Sequence, residues 1–301
     1  MKVALLGHWD RKTSPSLGFS PPVSTLEAQT VDPLERIRDG LLAERPDAEV
    51  QIIPFGAGPT FSMAVPDGLA VRGERSWGDA TGNPLVIEVG HEPHHDWGRA
   101  ALRTVLRATQ GSAPEKWEDI LECVSQLVNE RHVTVACSTE RPLDTPGGTR
   151  WLNPGLRVRS EVTPFPGGDT VAFGTLPGSG AGSGAAAVLA SLGARLQPTG
   201  ELLMERQPVA SALATSDLLV VATPYWHAPD LVDVAVRQAV VEAGASCIPT
   251  VGVGAASSLS PQESADFGVD GIHLLSPKAG WEALGRRVAR TWLPRVSPSA
   301  E

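Results

Sequence analysis

The chain has 301 residues, of which 42% are hydrophobic, 20% charged and 5% aromatic. This apolar share is enough for a packed core in one large or two ordinary domains. The 34 acidic side chains outnumber the 25 basic ones and give a formal net charge of -9. Because such a surface repels phosphodiester backbones and anionic lipids, we expect neither nucleic acid nor a membrane as a partner.

The cysteines and the first residues indicate the cellular compartment to expect. The three cysteines, Cys123, Cys137 and Cys247, form no CxxC pair, and an odd, sparse set is typical of a reducing environment. The apolar run at the amino terminus ends at Gly7, too early for a signal peptide. No stretch approaches the ~20 apolar residues that a membrane helix needs. We therefore expect a cytoplasmic protein.

Strand and helix patterns alternate along the chain. A strand at 3–6 is followed by a Ser/Pro-rich loop, a helix over 26–42 that should stop near Pro46, and a strand at 50–53. Strand, helix and strand in this order imply a right-handed parallel crossover. Further strands are predicted at 85–89, 133–137, 171–173, 218–222, 248–253 and 272–275. Further helices are predicted at 97–108, 120–128, 185–192, 231–243, 260–267 and 282–292.

The distribution of these elements predicts the domain organisation. Both ends of the chain are regular α/β, whereas the middle is less regular and rich in Pro and Gly. We predict an α/β protein of two domains, in which a Rossmann-like parallel-sheet domain is split in sequence by an inserted second α/β domain. The split domain comprises 1–62 and 214–296, the inserted glycine-loop domain 63–213, and 297–301 form a disordered tail.

Polar side chains follow two of the predicted strands. Asp10, Arg11 and Lys12 come after the first strand, and His227 and Asp230 come after the strand at 218–222. Ligands of open α/β sheets bind at the carboxyl edge of the strands, so both groups are candidates for a site. The second pair could supply a general base or a Mg²⁺ ligand. The alternatives are a solvated loop for the first group and a helix cap for the second.

A run of small residues, PGSGAGSG at 177–184, precedes a predicted helix. Its backbone N–H groups could cradle phosphates at the positive end of that helix, from Gly178, Ser179, Gly180, Gly182, Ser183 and Gly184. The alternative is a tight turn that lets the helix pack closely on a strand. The GxGxxA pattern at 180–185 also fits a dinucleotide fingerprint, which is weak evidence alone. No GKS/T sequence follows any glycine loop, which disfavours a Walker-type NTPase.

The stretch HEPHHD at 91–96 formally satisfies the HExxH zinc-protease pattern. That chemistry needs both histidines on one face of a formed helix. Here Gly90 ends a strand and Pro93 favours the first turn of a helix, which leaves His91 outside it. We expect these histidines to be solvated loop residues.

Several segments, in order, resemble the bacterial two-domain glycerate kinase family. They cover both ends and the centre of the chain: STLEA (24–28), RIRDGLLAERPDAEVQIIPFGAG (36–58), VTVACSTERPL (133–143), TPGG (145–148), PGSGAGSGAAAVLASLGARL (177–196), ATSDLLVVAT (214–223), IPTVGVG (248–254) and FGVDGIHLLSP (267–277). No single motif is long, so the specificity lies in their order. The resemblance implies ATP and Mg²⁺ as cofactors and glycerate or a similar small hydroxy acid as substrate.

The resemblance also implies roles for single residues. Lys12 stands where the family has a lysine after its first strand, and we expect the catalytic group to be Asp10, Lys12, His227 and Asp230, with Asp230 also a metal ligand. Ser138 occupies the place of the aspartate in the family's VACD stretch, and Arg141 that of the asparagine before Pro-Leu. Together with Arg11, these two are expected to contact the substrate.

The chain departs from the family where carboxylates are expected. Gly56–Phe61 replaces an acidic, GDGGEGT-like loop and contains no carboxylate, and the glutamate of TGEGxxD is missing from 223–230. A GGSATxDGG-like segment is absent between 108 and 133. Because one catalytic group is typically worth ~10²–10⁴-fold in rate, several losses favour an alternative. The alternative is an inactive family member, a pseudoenzyme that binds a ligand or a protein partner.

Overall fold

The structure is a computed structural model that describes residues 1–7, 33–90, 98–146, 148–149, 173–226, 234–276 and 278–294. The chain divides into two compact units. Unit 1 comprises Met1–Phe55, Gln207–Val232 and Val236–Glu301, and unit 2 comprises Gly56–Arg206 with Asp233–Ala235. Unit 2 is therefore almost continuous in sequence, whereas unit 1 is assembled from both ends of the chain.

The strands of the described residues, in chain order, are β1 (Lys2–Gly7), β2 (Glu49–Pro54), β3 (Leu69–Arg72), β4 (Arg75–Trp77), β5 (Val86–Val89), β6 (Thr134–Cys137), β7 (Arg195–Pro198), β8 (Leu218–Ala222), β9 (Tyr225–Trp226), β10 (Thr250–Gly254), β11 (Ala256–Ser257) and β12 (Gly271–Leu274). The α-helices are α1 (Pro33–Glu44), α2 (Pro59–Ala64), α3 (Arg99–Gln110), α4 (Trp117–Arg131), α5 (Ala185–Ser191), α6 (Thr199–Arg206), α7 (Val209–Thr215), α8 (Val234–Ala245), α9 (Pro261–Asp266) and α10 (Gly280–Trp292).

Unit 1 contains a five-stranded sheet in the order β12-β10-β8-β1-β2, and all of its pairings are parallel. The central strands β1, β8 and β10 consist of short apolar runs buried almost completely, as expected for strands covered on both faces. Numbered within the unit, the strand order is 2-1-3-4-5, so the order reverses between β1 and β8. This is the strand order of a flavodoxin-like doubly wound sheet.

Helices α1 and α10 of unit 1 cross at two glycines. A Cβ built on Gly40 would lie 2.0 Å from the carbonyl oxygen of Glu282, and one built on Gly285 would lie 2.2 Å from that of Ile37. Neither glycine has a positive φ. The absence of a side chain, rather than backbone freedom, is therefore what lets the two helices approach so closely.

Unit 2 contains a second five-stranded sheet in the order β4-β3-β5-β6-β7, parallel except for β4, which runs antiparallel to β3. One face of this sheet packs against α3, α4 and α5 to form a core cluster with Val71, Val89 and Cys137. Alternate residues along the strands point to the opposite face.

The α/β fold class predicted from the sequence, with two domains and parallel sheets, is confirmed. The strand predicted at 171–173 is wrong at Phe173, which is helical, while 171 and 172 lie outside the described residues. Strands β3, β4, β7, β9 and β11 were not predicted. The tail at 297–301 and the histidines of 91–96 also lie outside the described residues. Within the part of the chain that is described, no helix has the length and apolarity to cross a membrane.

Candidate functional site

The carboxyl edge of the unit 1 sheet brings together the strands that precede the predicted catalytic residues. β1 and β8 are direct neighbours, and Gly7 pairs with Ala222 in their register. The strand order reverses at this pair, which is where doubly wound sheets bind ligands. Two chain segments therefore leave the sheet side by side at its switch point.

The predicted residues themselves follow these strands in sequence and lie outside the described residues; they are Asp10, Arg11, Lys12, His227 and Asp230. Their convergence stays a prediction. The structure shows the neighbouring strand ends from which the segments carrying them begin.

Trp226 anchors the segment that leaves β8. Its side chain is fully buried, its Nε1–H donates to the carbonyl of Val253 at 3.2 Å, and its ring meets Phe267 edge-on. A Cβ on Gly252 would lie 2.7 Å from the indole. The residue before His227 is therefore fixed by packing, and its role is structural.

The glycine loop of unit 2 lies against the carboxyl ends of β5 and β6. Gly178 has a φ of 81°, and a Cβ there would lie 2.9 Å from that of Cys137. Gly182 has a φ of 59°, its N–H donates to the carbonyl of Gly90 at 2.7 Å, and a Cβ there would lie 3.2 Å from that of Val89. Both positions need glycine for conformation and for space.

Most of the loop's backbone donors are used within the protein. The N–H groups of Gly178, Ser179 and Gly180 donate to the carbonyls of Glu140, Leu176 and Arg141 at 3.0 Å. These hydrogen bonds, with that of Gly182, hold the loop in place. Binding of phosphate by these residues stays a prediction.

The serines of the loop are buried. The Ser179 hydroxyl donates to the carbonyl of Gly174 and accepts the N–H of Leu143, both at 2.9 Å. Ser183 is 2% exposed with a φ of 56°, and Gly184, which follows it, has a φ of 100°. The hydroxyl of Ser179 therefore contributes to the conformation of the loop. The dinucleotide fingerprint also lacks a strand at Phe173, directly upstream of the loop.

The two described residues of the predicted substrate set follow β6. Ser138 is 5% exposed, and its hydroxyl donates to the carbonyl of Val89 at 3.3 Å. Arg141 lies three residues further along and is half-buried. Its N–H donates to the hydroxyl of Thr139, and its carbonyl accepts the N–H of Gly180. Both residues therefore lie at the carboxyl edge of unit 2, beside the glycine loop.

Sequence reasoning missed a buried ion pair at this edge. Nη1 of Arg72, at the end of β3, donates to both carboxylate oxygens of Glu88 on β5 at 2.9 Å. The same carboxylate accepts the N–H of Gly58 at 2.9 Å, and Glu88 is fully buried. A charged residue inside an apolar strand is costly unless it is paired, so Glu88 within LVIEV was a usable signal.

The negative charge of Glu88 affects the buried thiol of Cys137. Burial, and secondarily the negative charge of Glu88, raise the pKa of the Cys137 thiol to about 12. Cys137 is therefore a neutral packing residue and not a nucleophile.

The described residues do not supply a metal site. They contain no group of three or more His, Cys, Asp or Glu side chains placed to hold an ion. The predicted ligand Asp230 lies outside them, so a Mg²⁺ site stays a prediction that depends on the undescribed segments.

Comparison with solved structures finds a similar fold. No family model and no curated protein sequence matches the chain. The fold is similar to the crystal structure of a putative glycerate kinase 2 from Salmonella typhimurium LT2, with a TM-score of 0.54 and 16% sequence identity. The similarity covers 97% of this chain and 98% of that one. At this identity it shows the fold alone, and over both units.

Proposed function

We propose that this chain is an ATP-dependent phosphotransferase that moves the γ-phosphoryl group to glycerate or a similar small hydroxy acid. The observation that carries the proposal is the fold similarity to the structure of a putative glycerate kinase 2 over 97% of the chain. The order of the sequence segments that resemble the same family supports it independently.

Phosphoryl transfer depends mainly on positioning and charge neutralisation. On this proposal, Lys12 neutralises charge on the transferred group, while Asp10 and His227 orient or deprotonate the attacking hydroxyl. The glycine loop binds nucleotide phosphates, and Ser138, Arg11 and Arg141 contact the acceptor. Mg²⁺, held by Asp230, would supply further charge neutralisation, and no step is assigned to it because the described residues do not form its site.

A pseudoenzyme of the same fold is the second candidate. The observation that favours it is that the described N–H groups of the glycine loop donate to carbonyls of the protein, since a phosphate cradle needs such donors directed at the ligand. The sequence departures at the acidic positions point the same way. Such a protein would bind a ligand or a protein partner without turnover.

A coupled assay for ADP release with Mg·ATP and D-glycerate separates the two candidates. Lys12→Ala is the test variant, and Lys116→Ala, at an exposed position before α4, is its control. Glycerate-dependent turnover that is lost only in Lys12→Ala supports the kinase. Absence of turnover, together with absence of thermal stabilisation by Mg·ATP, refutes it in favour of the pseudoenzyme. Turnover that Lys12→Ala leaves unchanged removes Lys12 from the site.

A further inference from the structure

The two faces of the unit 2 sheet differ in chemistry. The register pairs Val71 with Val89, Val89 with Cys137 and Cys137 with Pro198, and the first three of these belong to the apolar core. The residues that come next on β3, β5 and β6 lie on the opposite face, at the carboxyl edge, and the residue after β7 is the first of α6. These residues are Arg72, Gly90, Ser138 and Thr199, here called the polar row.

Arg72 is held in the polar row from two sides. Its guanidinium is fixed by Glu88 and by the carbonyl of Val71, to which Nη1 donates at 3.0 Å. A Cβ on Gly90 would lie 1.8 Å from the guanidinium carbon, so the group lies directly over the α-carbon of Gly90. The Arg72 side chain is only 9% exposed. These contacts hold the long, flexible side chain of Arg72 in one position above the end of β5.

Thr199 closes the other end of the polar row. It is fully buried, and its hydroxyl has no hydrogen-bond partner among the described residues. An unpaired buried hydroxyl costs about 1–3 kcal/mol, so its retention calls for an explanation. Ser138, between Gly90 and Thr199, adds a second buried hydroxyl. One positive group and two hydroxyl groups therefore lie along one edge of the sheet, at the ends of β3, β6 and β7.

We propose that the polar row binds the acceptor, with Arg72 contacting the carboxylate of a small hydroxy acid and Thr199 contacting one of its hydroxyl groups. The identity of the ligand rests on the proposed function, whereas the site rests on the structure. Neighbouring strands are ~4.8 Å apart, so Gly90, which lies under the guanidinium at the end of β5, and Thr199, which directly follows β7, are about 10 Å apart. A three-carbon acid with a hydrogen bond at each end spans a similar length.

The charge balance favours a carboxylate over a phosphate. Glu88 already neutralises Arg72, so the row has no excess positive charge to offset a phosphate dianion. A carboxylate carries a single charge, and its planar geometry suits guanidinium donors. The row is nearly closed to solvent, so the ligand enters by local opening, and its hydrogen bonds then form in a low-dielectric environment.

Binding without nucleotide tests the proposal. The affinity for D-glycerate is measured by calorimetry for the wild type, Arg72→Gln and Thr199→Val, with the exposed Arg75→Gln as control. A charge-assisted hydrogen bond is worth ~1.5–3 kcal/mol, so Arg72→Gln should weaken binding about 10–100-fold. Thr199→Val should weaken binding and also raise the Tm of the free protein, because it removes an unpaired hydroxyl. Arg75→Gln should match the wild type.

The double variant Arg72→Gln/Glu88→Gln keeps the test decisive if Arg72→Gln does not fold. Replacing both partners of a buried pair removes the isolated charge that makes single variants unstable. Wild-type affinity for D-glycerate in either folded Arg72 variant would overturn the proposal. A wild type that binds no D-glycerate would also overturn it. So would Arg72 variants that lose affinity for inorganic phosphate, measured in the same way, but not for D-glycerate.

The outcome is separable from that of the phosphotransferase assay. Arg72-dependent glycerate binding without ADP release supports the site and refutes the transfer reaction. Conversely, turnover with an unchanged KM for glycerate in the Arg72 variants supports the reaction and refutes the site.

Discussion

Replacing Gly40 by alanine should destabilise the protein, although alanine is the better helix former. In an open helix the exchange gains about 1 kcal/mol. Here the added Cβ would lie 2.0 Å from the carbonyl oxygen of Glu282 and 2.9 Å from the backbone nitrogen of Arg286. Both atoms belong to the backbone of α10, so no side chain can rotate away, and the helices must separate by more than 1 Å.

The magnitude follows from these opposing effects. Overpacking of a well-packed interface costs ~1–3 kcal/mol, and a clash with backbone belongs at the upper end of that range. Subtracting the gain in helix propensity leaves a net loss of about 2 kcal/mol. Gly244→Ala is the matched control, because a Cβ at that helical position meets nothing within 4 Å. The control should be neutral or more stable by up to about 1 kcal/mol.

Urea unfolding followed by tryptophan fluorescence compares the variants with the wild type. The midpoint should fall for Gly40→Ala and stay or rise for Gly244→Ala. A Gly40→Ala midpoint equal to or above that of the wild type would refute the close helix contact. Gly285→Ala provides a second measurement of the same contact from the opposite helix.

Two further predictions concern titratable groups. Trp292 donates its indole N–H to Nε2 of His273 at 2.9 Å, and burial, followed by the charge of Arg287, lowers the pKa of His273. Because the unfolded state then binds the proton more readily, the stabilising contribution of neutral His273 should be complete above about pH 6.5 and should be lost as the pH falls through the lowered pKa. In the His273→Gln variant, the urea midpoint should therefore depend less on pH between pH 5 and 8. Burial raises the pKa of Cys137 to about 12. A thiol reagent at pH 8 should therefore label the exposed Cys247 quickly and Cys137 only after unfolding. Rapid labelling of Cys137 in the native protein would contradict this expectation.

The sequence was sufficient for the elements whose pattern is strong. The central strands of unit 1 are short, continuous apolar runs, and β1 and β8 were predicted to within one residue at each end. Strands β4 and β7 are edge strands of three and four residues with polar side chains, and such segments leave no apolar signal. Phe173 shows the opposite error, because three apolar or small residues suggested a strand where the chain is helical.

Only part of the candidate site could be predicted from the sequence. The strand ends and the glycine loop could be located from local patterns and from the family resemblance. The Arg72–Glu88 pair could not, because its partners are 16 residues apart and Arg72 belongs to a strand that the sequence did not reveal. The polar row is set by the register of four strands, and register is a property of tertiary pairing that a single local segment does not contain.

The split of unit 1 has a consequence for how the protein is made. Strand β1 needs β8 on one side, and the hydrogen bond from the N–H of Lys2 to Asp217 closes a separation of 215 residues. At ~5–20 residues per second, a ribosome takes roughly 10–40 s to synthesise that interval. During this time the whole of Gly56–Arg206 is synthesised, while the edge of β1 that pairs with β8 in the folded protein remains unpaired. Nascent chains of this protein should therefore depend on a holding chaperone at the amino terminus, and a stall placed before residue 218 should prolong that dependence.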